Sequence, residues 1–320
     1  MLRATMKISG FSFVRNGMKL YYPVAESIRS ILPICDEFVV AVGAGDEDDT
    51  TRETIEAIGD PKIRIIDTVW DEAHYDRGIV NAVQTDVAKD ACTGDWLFYL
   101  QVDEVVHERY LPVIEERCRD LLAQEEVEGL LFAYKHFWGD YRHYHDGHGW
   151  YPYEIRVIRN LPAIHSYQSA QSFRYFDPYD NPRQGYGTRK LRVARVDAEI
   201  YHYGWVRPPR IMQVKRRALD TLHWGRKQAA DYYDSAPEAF DYGPLDRLAV
   251  FEGTHPAVMK DRIEQMDWQD ELQAGGRPDA RRQPHKHERL KYRLLTFVEN
   301  DLLGGRRIGT FKNYTLLKDR

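Results

Sequence analysis

The first hundred residues change hydrophobic period several times. Lys7-Ile8-Ser9-Gly10-Phe11-Ser12-Phe13-Val14 is a short apolar run closed by Arg15-Asn16-Gly17, which predicts a strand and a turn. Leu20, Val24, Ile28 and Ile31 then recur at helical spacing and predict an amphipathic helix that ends near Pro33. Glu37-Phe38-Val39-Val40-Ala41-Val42 reads as a strand buried on both faces. Thr50 with Glu53 three residues later is a capping-box signature, so a helix starts there. Lys62-Ile63-Arg64-Ile65-Ile66 is a third strand, and Ile79, Val80, Val83 and Val87 mark the next helix face. Trp96-Leu97-Phe98-Tyr99-Leu100 is a fourth strand, running into Gln101-Val102-Asp103-Glu104. Strand and helix alternating at this spacing predict a mainly parallel sheet wound with helices. Ligands bind such sheets at the carboxyl ends of the strands. Here those ends are Arg15-Asn16, loop 43–49, residues 67–76 and Gln101 to Glu104.

After residue 125 the texture changes. Leu130-Leu131-Phe132-Ala133-Tyr134 and Ile155-Arg156-Val157-Ile158 predict further strands. Positions 132–205 hold 18 of the 40 aromatic residues, about twice an even share, and rings with polar tips suit sugar stacking as well as a core. From about residue 210 the period is helical. Leu290, Leu294, Phe297, Val298 and Leu302 line one side of a helix over 288–303, expected to pack on the rest of the chain rather than on a membrane.

Composition narrows the class. The chain has 320 residues, 43% hydrophobic and 30% charged, as in a globular protein. No stretch approaches the ~18 apolar residues that span a bilayer. Residues 1–7 lack the apolar core of a signal peptide. Cys35, Cys92 and Cys118 are odd in number and widely spaced, which predicts buried thiols in a reducing compartment. We therefore expect a cytoplasmic protein, with a peripheral contact at the inner face of the membrane left open. The net charge of -5 hides a split, -13 over residues 1–150 and +8 over 151–320. A sequence pI near 6.2 disfavours nucleic acid as the main partner.

Asp103 stands out chemically. Read as a continuing strand, positions 101 and 103 share a face. A carboxylate at this end of the sheet suits a hard divalent cation. The alternative is a solvated acid in a turn. His143-Tyr144-His145-Asp146-Gly147-His148 has the spacing of a metal site, but its Gly- and Asp-rich setting suits an acceptor-binding loop better. Arg189, Lys190, Arg192, Arg195, Arg207, Arg210 and Lys215-Arg216-Arg217 form a basic set fit for phosphate, or else a solvated face.

Several pieces together resemble a known family. They are Val14-Arg15-Asn16, Glu26-Ser27-Ile28-Arg29-Ser30-Ile31-Leu32, Asp36-Glu37-Phe38-Val39-Val40, Gly45-Asp46-Glu47-Asp48-Asp49-Thr50 and Gly94-Asp95-Trp96-Leu97-Phe98-Tyr99-Leu100-Gln101-Val102-Asp103-Glu104. In order and spacing, over about 100 residues, they resemble the nucleotide-binding half of a family 2 glycosyltransferase, a nucleotide-diphospho-sugar transferase of the GT-A fold. The resemblance implies an α/β, GT-A-like fold with a Rossmann-type, mainly parallel mixed sheet flanked by helices. It implies a catalytic domain over 1–225, with 1–125 as the nucleotide-sugar-binding half and 126–225 as the acceptor-binding half. A helical C-terminal extension covers 226–320.

The same resemblance implies a hexosyltransferase-type enzyme with a nucleotide-sugar donor, a divalent metal (Mn or Mg) and usually inverting transfer. The acceptor would be carbohydrate or lipid-linked, in surface polysaccharide or glycolipid synthesis. The family's Asp-x-Asp maps onto Gln101-Val102-Asp103, so Asp103 keeps the metal position and Gln101 replaces the first acid. His202, in Glu199-Ile200-Tyr201-His202-Tyr203-Gly204-Trp205, resembles the family's late metal-binding histidine. The usual base-reading Asp falls on Gly43, which shifts that contact toward Asp46 or Asp48. Arg15, Asn16, Asp46, Asp48, Arg77 and Gln101 are expected to line the donor site. An acceptor hydroxyl needs a carboxylate base. Glu154 is the first candidate, with Asp146 and then Asp140 behind it, against the alternative that Glu154 pairs with Arg156. Two other classes compete: a catalytically silent sugar or nucleotide-sugar-binding protein, and a sugar-phosphate nucleotidyltransferase. The latter needs a Gly-rich phosphate loop that Val14-Arg15-Asn16-Gly17 does not supply.

Overall fold

The computed structural model describes residues 6–309 and 311–318. The first five residues, part of the segment read as lacking a signal sequence, lie outside the described residues. The strands are β1 (Ile8–Val14), β2 (Glu37–Gly43), β3 (Ile63–Thr68), β4 (Trp96–Tyr99), β5 (Glu104–Val106), β6 (Gly129–Trp138), β7 (His143–His145), β8 (Tyr153–Arg159), β9 (Ile164–Tyr167), β10 (Ser172–Phe176), β11 (Thr188–Trp205), β12 (Ala249–Val250) and β13 (Tyr314–Leu316). The helices are α1 (Val24–Ile31), α2 (Thr51–Glu56), α3 (Ile79–Asp90), α4 (Leu111–Leu121), α5 (Pro209–Trp224), α6 (Arg226–Tyr233), α7 (Lys260–Glu264) and α8 (Leu290–Phe297).

The main sheet runs β3-β2-β1-β4-β8-β6-β11-β10-β9. β3, β2, β1 and β4 are mutually parallel, β8 is antiparallel to both β4 and β6, and β6 and β11 are parallel. This is the α/β mixed sheet flanked by helices that was expected, but it is not mainly parallel, because β8, β10 and β9 each run antiparallel to their neighbours. α1 and α3 cover its parallel half because their apolar faces recur every three to four residues. Val39, Val40 and Ala41 are fully buried, as a strand covered on both faces requires.

Two further details differ from the sequence reading. α1 begins at Val24, not Leu20, because Tyr21 takes a positive φ of 59° and breaks the helical path. Thr50 precedes α2, but its side chain makes no capping bond. The C-terminal region is helical in part, with α6, α7 and α8 set among irregular chain, and β13 returns to pair with β11. Cys35, Cys92 and Cys118 are free and buried, and burial pushes their thiols up, to about 12 for Cys92 and Cys118. Among the described residues no helix is long and apolar enough to cross a membrane.

Candidate active site

A cleft of about 660 Å³ opens at the carboxyl ends of β1 and β4, against β11 and α5. This end of a wound sheet is open because the chain leaves each strand here for its next crossover. Arg15, Asn16, Asp46, Gln101, Asp103 and His202 all line it. β4 stops at Tyr99, and residues 100–103 turn before β5 pairs antiparallel with β11. A turn therefore aims Asp103, not the strand alternation inferred from sequence. The Asp103 carbonyl accepts from the Tyr203 N–H at 2.8 Å and fixes the turn to β11. Alternation does hold along β11. Tyr201 and Tyr203 enter an aromatic core, while His202 faces Asp103.

His202 Nε2 lies 3.7 Å from Asp103 Oδ2. Behind it, His202 Nδ1 is 3.0 Å from His136 Nδ1, and His136 Nε2 is 2.8 Å from the Tyr151 carbonyl. A carbonyl only accepts, so His136 Nε2 donates. Burial, with His202 close by, holds the His136 imidazole well below its ordinary value and keeps it neutral. Its Nδ1 then accepts from His202 Nδ1–H. This fixes the ring so that Nε2 is the nitrogen turned toward Asp103, the orientation in which a deprotonated Nε2 ligates a metal.

Gly204 makes the space between these donors. A Cβ there would stand 2.6 Å from Asp103 Oδ2 and 2.6 Å from His202 Nε2. Lys215, buried on α5, is the third member, with Nζ 2.6 Å from the Gly204 carbonyl and 3.4 Å from Asp103 Oδ2. Burial works to raise the Asp103 carboxyl, but Lys215 and His202 outweigh it and hold it well below the usual carboxylate range. Burial, with Arg207 adding repulsion, pushes the Lys215 ammonium down to about 7 despite Asp103. A carboxylate oxygen and an imidazole nitrogen facing one gap fit a divalent cation whose remaining ligands come from a bound anion. Among the described residues no third His, Cys, Asp or Glu joins them.

The other expected residues divide. Arg15 donates to the Ala44 carbonyl at 2.8 Å and to Tyr75 at 2.8 Å, and stacks near Trp70. Asn16 accepts from the Asp46 N–H at 2.8 Å, and Asp46 accepts from Lys19. Gln101 donates to the Ala170 carbonyl at 3.0 Å. Asp48 also takes Lys19 but does not line the cleft. Arg77, at φ 51°, is exposed beside Asp76 and outside the cleft.

The three candidate bases are not brought to the cleft. Glu154 is buried, accepts from Ser172 Oγ at 2.6 Å and from the Ile155 N–H, and sits raised above its ordinary value chiefly by burial. A base must reach an acceptor hydroxyl, and this one reaches only its own strand and β10. Arg156 does not pair with it either. It makes a fully buried bidentate pair with Glu104, both bonds at 2.7 Å. Asp146 accepts from Asn300 at 3.0 Å and lines neither cleft. Asp140 is spent on His143 and the N–H groups of residues 142 and 143.

The three histidines of the 143–148 loop scatter. His143 goes to Asp140, His148 to Glu299 at 2.7 Å, and His145 stacks on Trp150 at 4.4 Å. Most of the aromatic surplus is core packing. Trp138 stacks on Trp205 at 4.6 Å, and of this group Trp205 and Tyr151 reach the cleft.

Trp70 and Tyr75 line the cleft, Lys215 enters it as a buried group and His136 stands behind His202, and none of these was named singly as a candidate from sequence. Trp70 had a signal. Gly43 stands where an Asp was expected, and a Cβ there would meet the Trp70 indole nitrogen at 2.3 Å. Lys215 was read with Arg216 and Arg217 as one set, but α5 turns 215 inward and leaves 217 outside the cleft.

A second cleft, of about 1280 Å³, adjoins the first, with Trp205 and Arg216 lining both. Its wall from the C-terminal region includes Arg281, Arg282, Lys286 and Arg289. Arg281 pairs with Asp279, and Arg282 with Asp241 and Glu288.

No family model and no curated protein matches this chain. Among solved structures, glucosyl-3-phosphoglycerate synthase from Mycobacterium tuberculosis, in complex with Mn2+, uridine diphosphate and phosphoglyceric acid, is 19% identical. That match covers 41% of this chain and 44% of the other, with a TM-score of 0.29. TarS from S. aureus is 12% identical, covering 67% of this chain and 39% of the other, with a TM-score of 0.36. The chain thus spans less than half the length of either structure.

Proposed function

We propose that this chain is a glycosyltransferase, moving a sugar from a nucleotide-sugar donor to an acceptor hydroxyl, with Asp103 and His202 holding a divalent Mn or Mg. The observation that carries the reading is the gap at Gly204, where a carboxylate oxygen and an imidazole nitrogen face each other at the carboxyl end of β4. When bound there, a divalent cation neutralises charge that develops on a diphosphate leaving group. The chain's own part is to bind and orient. Arg15, Asn16, Asp46 and Gln101 take the nucleotide and sugar, beside the Trp70 ring. Lys215 compensates Asp103 and adds positive charge where the diphosphate departs.

The second cleft takes the acceptor, carbohydrate or lipid-linked. Arg216, Lys286 and Arg289 line it and make no ion pair among the described residues, so an acceptor bearing phosphate or carboxylate fits. In this reading residues 1–225 form the catalytic domain, and 226–320 the extension that closes the acceptor side.

The test is a thermal-shift screen of nucleotide sugars with and without Mn2+, followed by an assay for released nucleoside diphosphate. One donor at about 100 times its Kd is expected to stabilise the chain by about 2.7 kcal/mol, only with metal and not in Asp103→Ala. Binding without product release would favour the silent sugar-binding reading. No response to any donor would overturn both.

A further inference from the structure

α8 is turned the opposite way from an ordinary surface helix. Tyr292, Thr296 and Glu299 follow one another at helical spacing and face the protein. Thr296 Oγ1 accepts from the His148 N–H at 2.9 Å, Tyr292 packs near His148, and buried Glu299 accepts from His148 and Arg307. Leu290, Leu294 and Phe297 lie on the opposite side, 68%, 57% and 55% exposed. Leu302 and Ile308 extend the set at 66% and 42%. The sequence reading expected this apolar side to pack on the rest of the chain. The polar groups take the inner side instead, because Glu299 finds a full set of donors there: His148, Arg307 and the Ile308 N–H.

An apolar stripe of this size on a surface needs a covering. Its charge setting names one. Residues 286–318 carry eight Lys or Arg against three Asp or Glu. Glu288 and Glu299 are buried in ion pairs, so Asp301 is the exposed acid of the segment. Lys291 and Arg293 are exposed on either flank of the stripe, and Arg306 follows it. Leucines and a phenylalanine between basic flanks suit the boundary of an anionic bilayer. There the rings and alkyl groups enter the acyl region and the cations meet headgroups.

We propose that α8 and the turn after it dock this protein on an anionic lipid surface. The proposal does not depend on the glycosyl-transfer reading. One consequence joins them, since Lys286 and Arg289, just before α8, line the second cleft and would bring its rim to the surface.

The test is co-sedimentation of the full chain with vesicles of phosphatidylcholine, with and without one-third phosphatidylglycerol. Binding at least tenfold stronger to the anionic vesicles is expected, weakening as salt rises. A triple variant, Leu290→Ser, Leu294→Ser and Phe297→Ser, should lose at least tenfold in binding. Should the triple variant fail to fold, Phe297→Trp alone decides. Its fluorescence should shift to the blue on anionic vesicles and not on neutral ones. No binding by the parent chain, or undiminished binding by the folded triple variant, would overturn the proposal. So would a dimer in sedimentation that the triple variant converts to monomer without any vesicle binding by the parent. In that case a second copy covers the face.

Discussion

Gly204 separates the Asp103 carboxylate from the His202 imidazole, and it does so at an ordinary backbone angle, so alanine is tolerable to the main chain. Gly204→Ala should leave the fold intact and fill the gap. Its Mn2+-dependent thermal shift should vanish, and transfer should fall on the order of 10²-fold, the scale of a misplacement near 1 Å. Calorimetry and a product assay read the two effects. His136 lies behind His202, not in the gap, and orients its ring through the bond between the two Nδ1 atoms. His136→Ala should weaken Mn2+ affinity about 10–100-fold while donor binding without metal stays unchanged. Isothermal titration checks it. Asp103 and His202 were legible from the end of a strand and a family-like spacing. His136 and Lys215 were not, because nothing local distinguishes a histidine in β6 or a lysine on α5 from its neighbours until the elements pack.

Among the elements, β6 and β11 are tied by charge as well as by backbone. Glu128, just before β6, accepts from Arg189 and Arg192 of β11. Burial opposes ionisation, but the Arg189 and Arg192 bonds prevail and hold this carboxyl below its ordinary 4.5, at about 2. The folded state thus favours the ionised form. That stability is present above pH 4.5 and is lost as pH falls toward 2. Glu128→Gln should remove this part of the acid dependence, seen as a flatter Tm-against-pH curve between those limits. Glu104 and Arg156 tie β5 to β8 in the core. Arg156→Met leaves a buried carboxylate unpaired and should cost about 3–5 kcal/mol in urea unfolding. Strand and helix positions were legible for the first hundred residues, where hydrophobic periods are clean. The partner of Arg156 was not, because Glu154 is the carboxylate beside it in sequence, while Glu104, 52 residues away, meets it only through the folded sheet.

For the molecule as a whole, the charge split has a physical location. Asp103 comes from the acidic half, and His202 and Lys215 from the basic half, 112 residues beyond Asp103 in the case of Lys215. A ligand that bridges them should stabilise residues 6–225 as one unit. Calorimetry with donor and Mn2+ is expected to shift a single main transition. Two transitions, with only one of them shifted, would contradict a joint site.

The sequence alone determined the wound sheet, the end of it where the cleft opens, and the acid that stands there. Period and strand-end chemistry are local properties, read within a dozen residues. Packing decided what depends on distance: that Gly204 leaves a gap, that His136 orients His202, that Lys215 is buried, and that Glu154 is closed off from the cleft. It also decided which side of α8 faces out. An amphipathic stripe shows that a helix has two faces, but the donors waiting around Glu299 settled which one turned inward.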